Sequence, residues 1–294
     1  MLRDIRRSRI ADITDIADTV GREQTLDAVD PHTPNVPRMY DYLLGGKDNY
    51  AADREAADEV IRHAPDTPFL ARENRAFLRR AVRFLAESGI RQFIDIGSGL
   101  PTQGNVHEIA HQVAPESHVV YVDREPVVLA HGRALLAGTP EVTVIQGDAR
   151  RPGDILDDAE LNRLIDFDRP VAVLMLAVLH FIGDGDDPPG IVARFRDAMA
   201  PGSHLVVSHV TGDFDADSRV QNAGAVYEKA TYQITLRSRA DVTRLFDGFE
   251  FLEPGLTTLS MWRPDPGTTI PPRADQQWCY AAVGRKGTAQ GAGE

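Results

Sequence analysis

Phe93-Ile94-Asp95-Ile96-Gly97-Ser98-Gly99 is the stretch on which the reading of this sequence turns. A short run of apolar residues, broken by one acid, enters two glycines spaced one residue apart. This is how a strand of an α/β sheet hands the chain to its helix. The glycines let backbone approach a ligand closely, and the helix beyond offers unpaired N–H groups. A tight turn that merely needs positive φ would look the same. The third glycine of the dinucleotide fingerprint is absent, because Thr102 stands at its place.

A rhythm extends from this turn in one direction. Strands are predicted at 92–96, 118–122, 142–145, 171–176 and 205–207, with two more at 250–252 and 278–283. Helices are predicted between them over 105–113, 126–136, 191–200 and 241–246, and ahead of them over 74–87. Alternation of this kind means βαβ units and a parallel sheet covered on both faces. The unbroken apolar run at 171–176 suits a central buried strand. One doubly wound domain is therefore expected over 75–286. A helical lid or cap at 35–74 precedes it, a loosely held arm is expected at 1–34, and a glycine-rich disordered tail at 287–294.

Three acids fall at the ends of the first three strands: Asp95, Asp123 and Asp148. Asp123 lies 24 residues beyond Gly99, where a carboxylate can accept both hydroxyls of a ribose. Asp148 follows 25 residues later, where an acid can receive an exocyclic amine of a purine. Each alone reads equally as a helix cap or a solvated loop residue, but parallel topology brings all three to one crevice. Asp95, two residues ahead of Gly97, would repel a pyrophosphate and suits a cationic ligand end. This weighs against a nicotinamide-dependent oxidoreductase, as does the short chain after residue 210, which leaves little for a separate substrate domain.

With these residues in place, the sequence resembles the class I S-adenosylmethionine-dependent methyltransferases. More narrowly, it resembles the actinobacterial S-adenosyl methyltransferase family formerly described as a domain of unknown function. The resemblance rests on Pro37-Arg38-Met39-Tyr40-Asp41-Tyr42-Leu43-Leu44-Gly45-Gly46-Lys47-Asp48-Asn49-Tyr50, on Asp95 through Thr102, and on Val120-Tyr121-Val122-Asp123. Ala130 through Leu136, Arg237-Ser238-Arg239 and Phe246 through Gly255 also match. It implies a Rossmann-like seven-stranded sheet with the last strand antiparallel. It implies S-adenosyl-L-methionine as cofactor, contacted at Asp95, Gly97, Gly99, Asp123 and Asp148. Ser98, Arg124, Ala149 and Ala177 are expected beside the same ligand. It supplies no acceptor. A protein that binds the cofactor for regulation, without turnover, is the alternative.

His180, just past the fourth strand, is the candidate general base, because its ordinary pKa lies near working pH. A packing or capping histidine is the competing reading, and methyl transfer from a sulfonium needs alignment more than a base. In 37–50, aromatic, charged and glycine residues mix without a period. Tyr40, Tyr42, Lys47, Asn49 and Tyr50 are expected to wall the cavity as a lid, with Gly45-Gly46 letting it bend; a helix–turn–helix on the sheet edge is the alternative. His107-Glu108-Ile109-Ala110-His111 copies a zinc-peptidase motif, but Ala114 and Ser117 stand where its extension wants Gly and His. No metal site is expected.

Composition sets the remaining bounds. With 44 acidic against 32 basic residues, the net charge of −12 disfavours nucleic acid and anionic membrane as partners. A small-molecule acceptor is expected. Cys279 is the single cysteine, and no run approaches the roughly 18 apolar residues of a membrane span. A cytoplasmic protein is expected.

Overall fold

The computed structural model describes residues 30–101, 104–136, 138–215, 217–227, 230 and 232–287. Most of the expected arm, nearly all of the expected tail, and Thr102 lie outside these residues. Among the described residues three helices come first: α1 (Val36–Leu43), α2 (Ala51–His63) and α3 (Thr67–Glu87). The alternating part follows as β1 (Gln92–Ile96), α4 (Val106–Val113), β2 (His118–Asp123), α5 (Pro126–Leu136) and β3 (Val142–Gln146). It continues with α6 (Pro152–Leu156), α7 (Ala159–Leu164), β4 (Ala172–Leu176), α8 (Pro188–Ala198), β5 (His204–Val210), α9 (Arg219–Val226) and α10 (Arg239–Arg244). Three strands close the chain: β6 (Phe249–Phe251), β7 (Thr257–Thr258) and β8 (Cys279–Lys286).

The strands form one eight-stranded sheet in the order β3-β2-β1-β4-β5-β8-β6, with β7 also paired to β8. Strands β1 to β5 run parallel, and β8 lies antiparallel to β5, β6 and β7. The two-residue β7 adds to the seven expected strands; it is too short to leave a periodic signal. Chain order departs in opposite directions from β1, towards β2 and towards β4. The crevice at that switch point, beyond the carboxyl ends of the strands, is where such sheets bind ligands.

Strand alternation divides the core. Ile94 and Ile96 enter the layer that holds Val173, Met175, Phe195 and Leu205. Phe93 enters the other, with Phe77, Leu85, Val119 and Trp262. Trp262 is fully buried, with Phe77 and Phe84 edge-on at 5.3 and 6.1 Å.

Helices α1, α2 and α9 make a third apolar cluster through Met39, Val60, Ala223 and Val226. It is pinned by a buried ion pair, Arg38 Nε to Asp53 Oδ2 at 2.7 Å. Asp53 also accepts from the N–H groups of Asn35 and Tyr50, each at 2.8 Å. Arg38 spends its other nitrogen on the carbonyls of Asp30 and Thr33. Both oxygens of Asp53, and Nε and Nη2 of Arg38, thus find partners, as burial demands. Helix α3 runs through the expected boundary at 74–75, so cap and sheet domain share one continuous rod.

Candidate functional site

A cavity opens between the carboxyl ends of β1, β2, β4 and β5 and the underside of α1, α2 and α9. It encloses about 1730 Å³ of empty space, its open mouth included. Asp95, Gly97, Ser98, Gly99, Asp123, Arg124, Asp148, Ala149, Ala177 and His180 all line it. Of the five residues expected in the lid, Tyr40 lines it too.

The glycine turn is fixed sterically. Gly97 has φ +69°, and an added Cβ would lie 2.3 Å from Val178 Cγ2, so a side chain there collides with the segment after β4. Gly99 has φ +66°, and its N–H donates to Asp123 Oδ2 at 2.9 Å. Glu125 N–H donates to Asp123 Oδ1, also at 2.9 Å. The carboxylate of Asp123 is therefore held from behind by two amides. Burial still pushes its pKa up to about 6, against the pull of those amides. Asp95 is 5% exposed and rises to about 7, because burial outweighs the opposing Arg75 guanidinium. Both acids stand desolvated at a cavity wall, a state a cationic or hydroxyl-bearing ligand relieves. Asp148 is more open. Arg150 Nη2 approaches it at 2.6 Å and Arg124 Nη1 at 3.7 Å, and the Arg150 hydrogen bond holds its pKa below the usual carboxylate range.

Ala177 follows β4 with φ +55°, the left-handed region that an alanine seldom adopts. Its N–H donates to Ser208 Oγ at 2.9 Å. Ser208 in turn donates to Asn74 Oδ1 at 2.6 Å, and Asn74 Nδ2 donates to the Tyr40 hydroxyl at 3.0 Å. This chain ties the strained turn of the sheet to the lid helix α1.

His180 lies in the turn after Ala177 and is 3% exposed. Burial holds its pKa well below the ordinary value, and the neighbouring His209 and Arg237 add to that. Val210 N–H donates to its Nδ1 at 3.5 Å. With Nδ1 accepting, the proton of the neutral ring sits on Nε2. Among the described residues nothing accepts from that Nε2–H. The geometry presents His180 as a donor to the cavity; the expected general base would need the other tautomer.

Four of the residues expected in the lid stand away from the cavity wall. The Tyr42 hydroxyl donates to Asp58 at 3.0 Å on the exposed side of α1 and α2. Lys47 is exposed. Asn49 donates to Asp41 Oδ2 at 2.9 Å, and Tyr50, 45% exposed, caps α2 beneath the Arg38 guanidinium. The Gly45-Gly46 turn is a tight wrap rather than a hinge, since a Cβ on Gly46 would fall 1.9 Å from Asp41 Oδ1. Local composition marked this segment as unusual but did not say which way its aromatics face.

Several lining residues escaped the sequence reading. Arg75 of α3 lines the same cavity as Asp95 and pulls that carboxyl down electrostatically. Glu125 and Tyr232 are joined along the cavity lining: the Tyr232 hydroxyl donates to Glu125 Oε1 at 2.7 Å, and Arg124 lies 4.4 Å over the Tyr232 ring. Asn35 Nδ2 donates to the other Glu125 oxygen at 2.9 Å. None of these belongs to a compact motif. In the HExxH segment, His107 Nδ1 pairs with the Tyr121 hydroxyl at 2.7 Å and His111 Nε2 with the Ser117 carbonyl at 2.9 Å. No cluster of potential metal ligands occurs among the described residues.

This geometry agrees with what comparison shows. A family profile described as S-adenosyl methyltransferase matches residues 22–287. A DUF574 family protein from Streptomyces avermitilis superposes with a TM-score of 0.83 at 43% identity, covering 87% of this chain and 99% of its own. A candidate methyltransferase from Thermobifida fusca does so with a TM-score of 0.82 at 42% identity, covering 87% of this chain and 96% of its own. None of the curated proteins matches. The chain belongs to the S-adenosyl methyltransferase family and is an S-adenosylmethionine-dependent methyltransferase.

Proposed function

We propose that the cavity holds S-adenosylmethionine along the carboxyl ends of β1 to β4 and passes its methyl group to a small molecule under α1, α2 and α9. Asp123 accepts the ribose hydroxyls. Asp148 and Ala149 flank the adenine, with Arg124 beside them. Gly97, Ser98 and Gly99 supply the close backbone approach. Asp95 receives the α-ammonium group, and Arg75 answers the carboxylate of the same amino-acid end. Ala177 and His180 stand between that end and the acceptor. The observation that carries this reading is the convergence of three carboxylates on one cavity, two of them desolvated and one braced by backbone amides.

In the transfer itself, a lone pair of the acceptor forms a bond to the methyl carbon. The carbon–sulfur bond breaks, and its electron pair returns to sulfur as a neutral thioether. The acceptor proton, where there is one, leaves to solvent. Holding the two reactants in line supplies much of the rate.

The roof of helices favours a small acceptor over a polymer, and the charge of −12 disfavours nucleic acid. No helix among the described residues is long and apolar enough to cross a membrane. The lone cysteine, buried with its thiol pushed up to about 12, suits a cytoplasmic protein.

The test is calorimetry with S-adenosylhomocysteine on the wild type and on Asp123→Ala. We expect micromolar binding by the wild type and a loss of at least tenfold in the variant, since hydrogen bonds to a charged group are worth about 1.5–3 kcal/mol. Equal affinity in the two proteins sinks the ribose assignment.

A further inference from the structure

The two ends of the cavity differ in chemistry. Its charged lining residues, Arg75, Asp95, Asp123, Arg124, Glu125, Asp148 and Arg150, belong to the sheet edge and the part of α3 facing it. The other end is built from α1, α2 and α9. Its walls include Leu43, Val60, Ala64, Ala223, Phe181 and Ile234. Among the described residues that end carries no ionised side chain. Polar groups also line it: the Tyr40 and Thr67 hydroxyls are already hydrogen-bonded, to Ala71 and Asn74 and to Ala64, and two others bear on the acceptor. One is the Nε2–H of His180, on a ring 3% exposed. The other is the hydroxyl of Tyr227, a residue 8% exposed, whose ring lies 5.8 Å from Phe181. Neither has a hydrogen-bond partner among the described residues.

A charged molecule placed there would give up its hydration without an opposing charge, which costs far more than burial of an apolar surface returns. An apolar molecule meets aliphatic and aromatic walls. If it bears one oxygen, it also accepts from a donor that meets no acceptor among the described residues. Building on the cofactor assignment above, we infer that the methyl acceptor is a neutral, largely apolar small molecule. It carries an oxygen that accepts a hydrogen bond from His180 Nε2. Sugars, nucleotides and carboxylate-bearing metabolites are selected against by the wall itself, before any chemistry.

The experiment uses the full chain loaded with S-adenosylhomocysteine. Naphthol serves as the neutral probe and hydroxynaphthoate as its carboxylate-bearing analogue, each titrated by calorimetry. Gly224 of α9 lines the same wall, and a Cβ added there would come no closer than 3.9 Å to Ile234 Cβ. Gly224→Asp therefore brings a carboxylate to the wall on a Cβ that has room, with Gly224→Ala as its steric control. We expect naphthol to bind at least roughly tenfold tighter than hydroxynaphthoate, the gap that one uncompensated buried group produces. Gly224→Ala should keep naphthol binding and Gly224→Asp should lose it, while both bind S-adenosylhomocysteine like the wild type. His180→Leu should weaken naphthol by about tenfold.

Tighter binding of hydroxynaphthoate, binding of neither probe to the loaded protein, or naphthol binding intact in Gly224→Asp overturns the acceptor class. Unchanged naphthol affinity in His180→Leu overturns the anchor. Failure of S-adenosylhomocysteine to bind the wild type is a different result: it refutes the cofactor assignment and the acceptor proposal falls with it.

Discussion

Arg237 Nη1 donates to Nε2 of His209 at 2.9 Å, and this decides which nitrogen of the His209 ring carries the proton. With Nε2 accepting, the proton lies on Nδ1, which donates to the Val210 carbonyl at 2.7 Å. The N–H of Val210 then donates to His180. Both histidines are held neutral, His209 with its pKa lowered to about 4, chiefly by burial. One guanidinium far from the cavity mouth thus orients the donor inside it.

The same Arg237 donates to the carbonyls of Leu179 and Ile182, each at 2.8 Å, and to Asp184 at 2.7 Å. It clamps the turn that carries His180. Arg237→Ala leaves two carbonyls and a histidine nitrogen buried without partners. We expect a stability loss of about 2–4 kcal/mol in urea denaturation. Arg237→Lys should recover little, since one ammonium cannot reach four acceptors spread around a planar fork. A full rescue by lysine refutes the clamp.

The anchor of the lid helices offers a second test. Arg38 and Asp53 are both buried, so removing one partner strands the other's charge. Arg38→Met should cost roughly 3–5 kcal/mol. Because α1 and α2 roof the cavity, S-adenosylhomocysteine affinity should fall as well. A loss under about 1 kcal/mol, the range of exposed ion pairs, refutes the anchor.

The sheet and the acidic end of its cavity were legible because both follow from spacing. A strand that ends in an acid carries that acid to the carboxyl edge whatever the rest of the chain does. Asp95, Asp123 and Asp148 needed only a parallel topology to converge. The apolar end obeys no such rule. Leu43, Val60, Ala223 and Phe181 meet through the packing of helices separated by more than a hundred residues, and no local period records that. Tyr42 and Tyr50 were misplaced for a related reason. Composition says that a segment holds aromatics, whereas their direction is set by Asp58, outside the segment, and by Arg38, itself held by the distant Asp53. Arg75 went unnoticed because on a helix it looks like any exposed arginine.

Tyr232 and Glu125 form a clasp along the cavity lining, and Asn35 completes it from the lid side. Tyr232→Phe keeps the ring under Arg124 and deletes the hydroxyl. We expect a stability change of only about 1 kcal/mol, the net worth of one hydrogen bond. Dissociation of S-adenosylhomocysteine, followed by stopped flow, should quicken several-fold, since the clasp ties the lid side to the cavity wall. An unchanged off-rate means that the mouth opens elsewhere.

Asp95 gives the sharpest test, because its two effects have opposite sign. Burial lifts its carboxyl from 3.8 to about 7 in the folded protein, and unfolding returns it to 3.8. Between those values the folded chain holds a proton that the unfolded chain has lost. Its contribution to stability is therefore complete below about pH 3.8 and is lost as pH rises towards 7. The shift of about 3 units corresponds to roughly 4 kcal/mol of strain carried by the ionised, ligand-free protein. Asp95→Asn removes that charge. Its Tm without ligand should exceed the wild type's at about pH 8, and the gap should narrow as pH falls below about 7 and close only near pH 3.8, where the carboxyl is protonated in the folded and the unfolded chain alike. The same substitution should weaken S-adenosylmethionine by at least tenfold, because the ammonium loses its counter-charge. A carboxylate that destabilises the empty protein and strengthens the loaded one is retained for its ligand. If Asp95→Asn lowers Tm at high pH, the acid is a structural partner instead, and the ammonium must be held elsewhere.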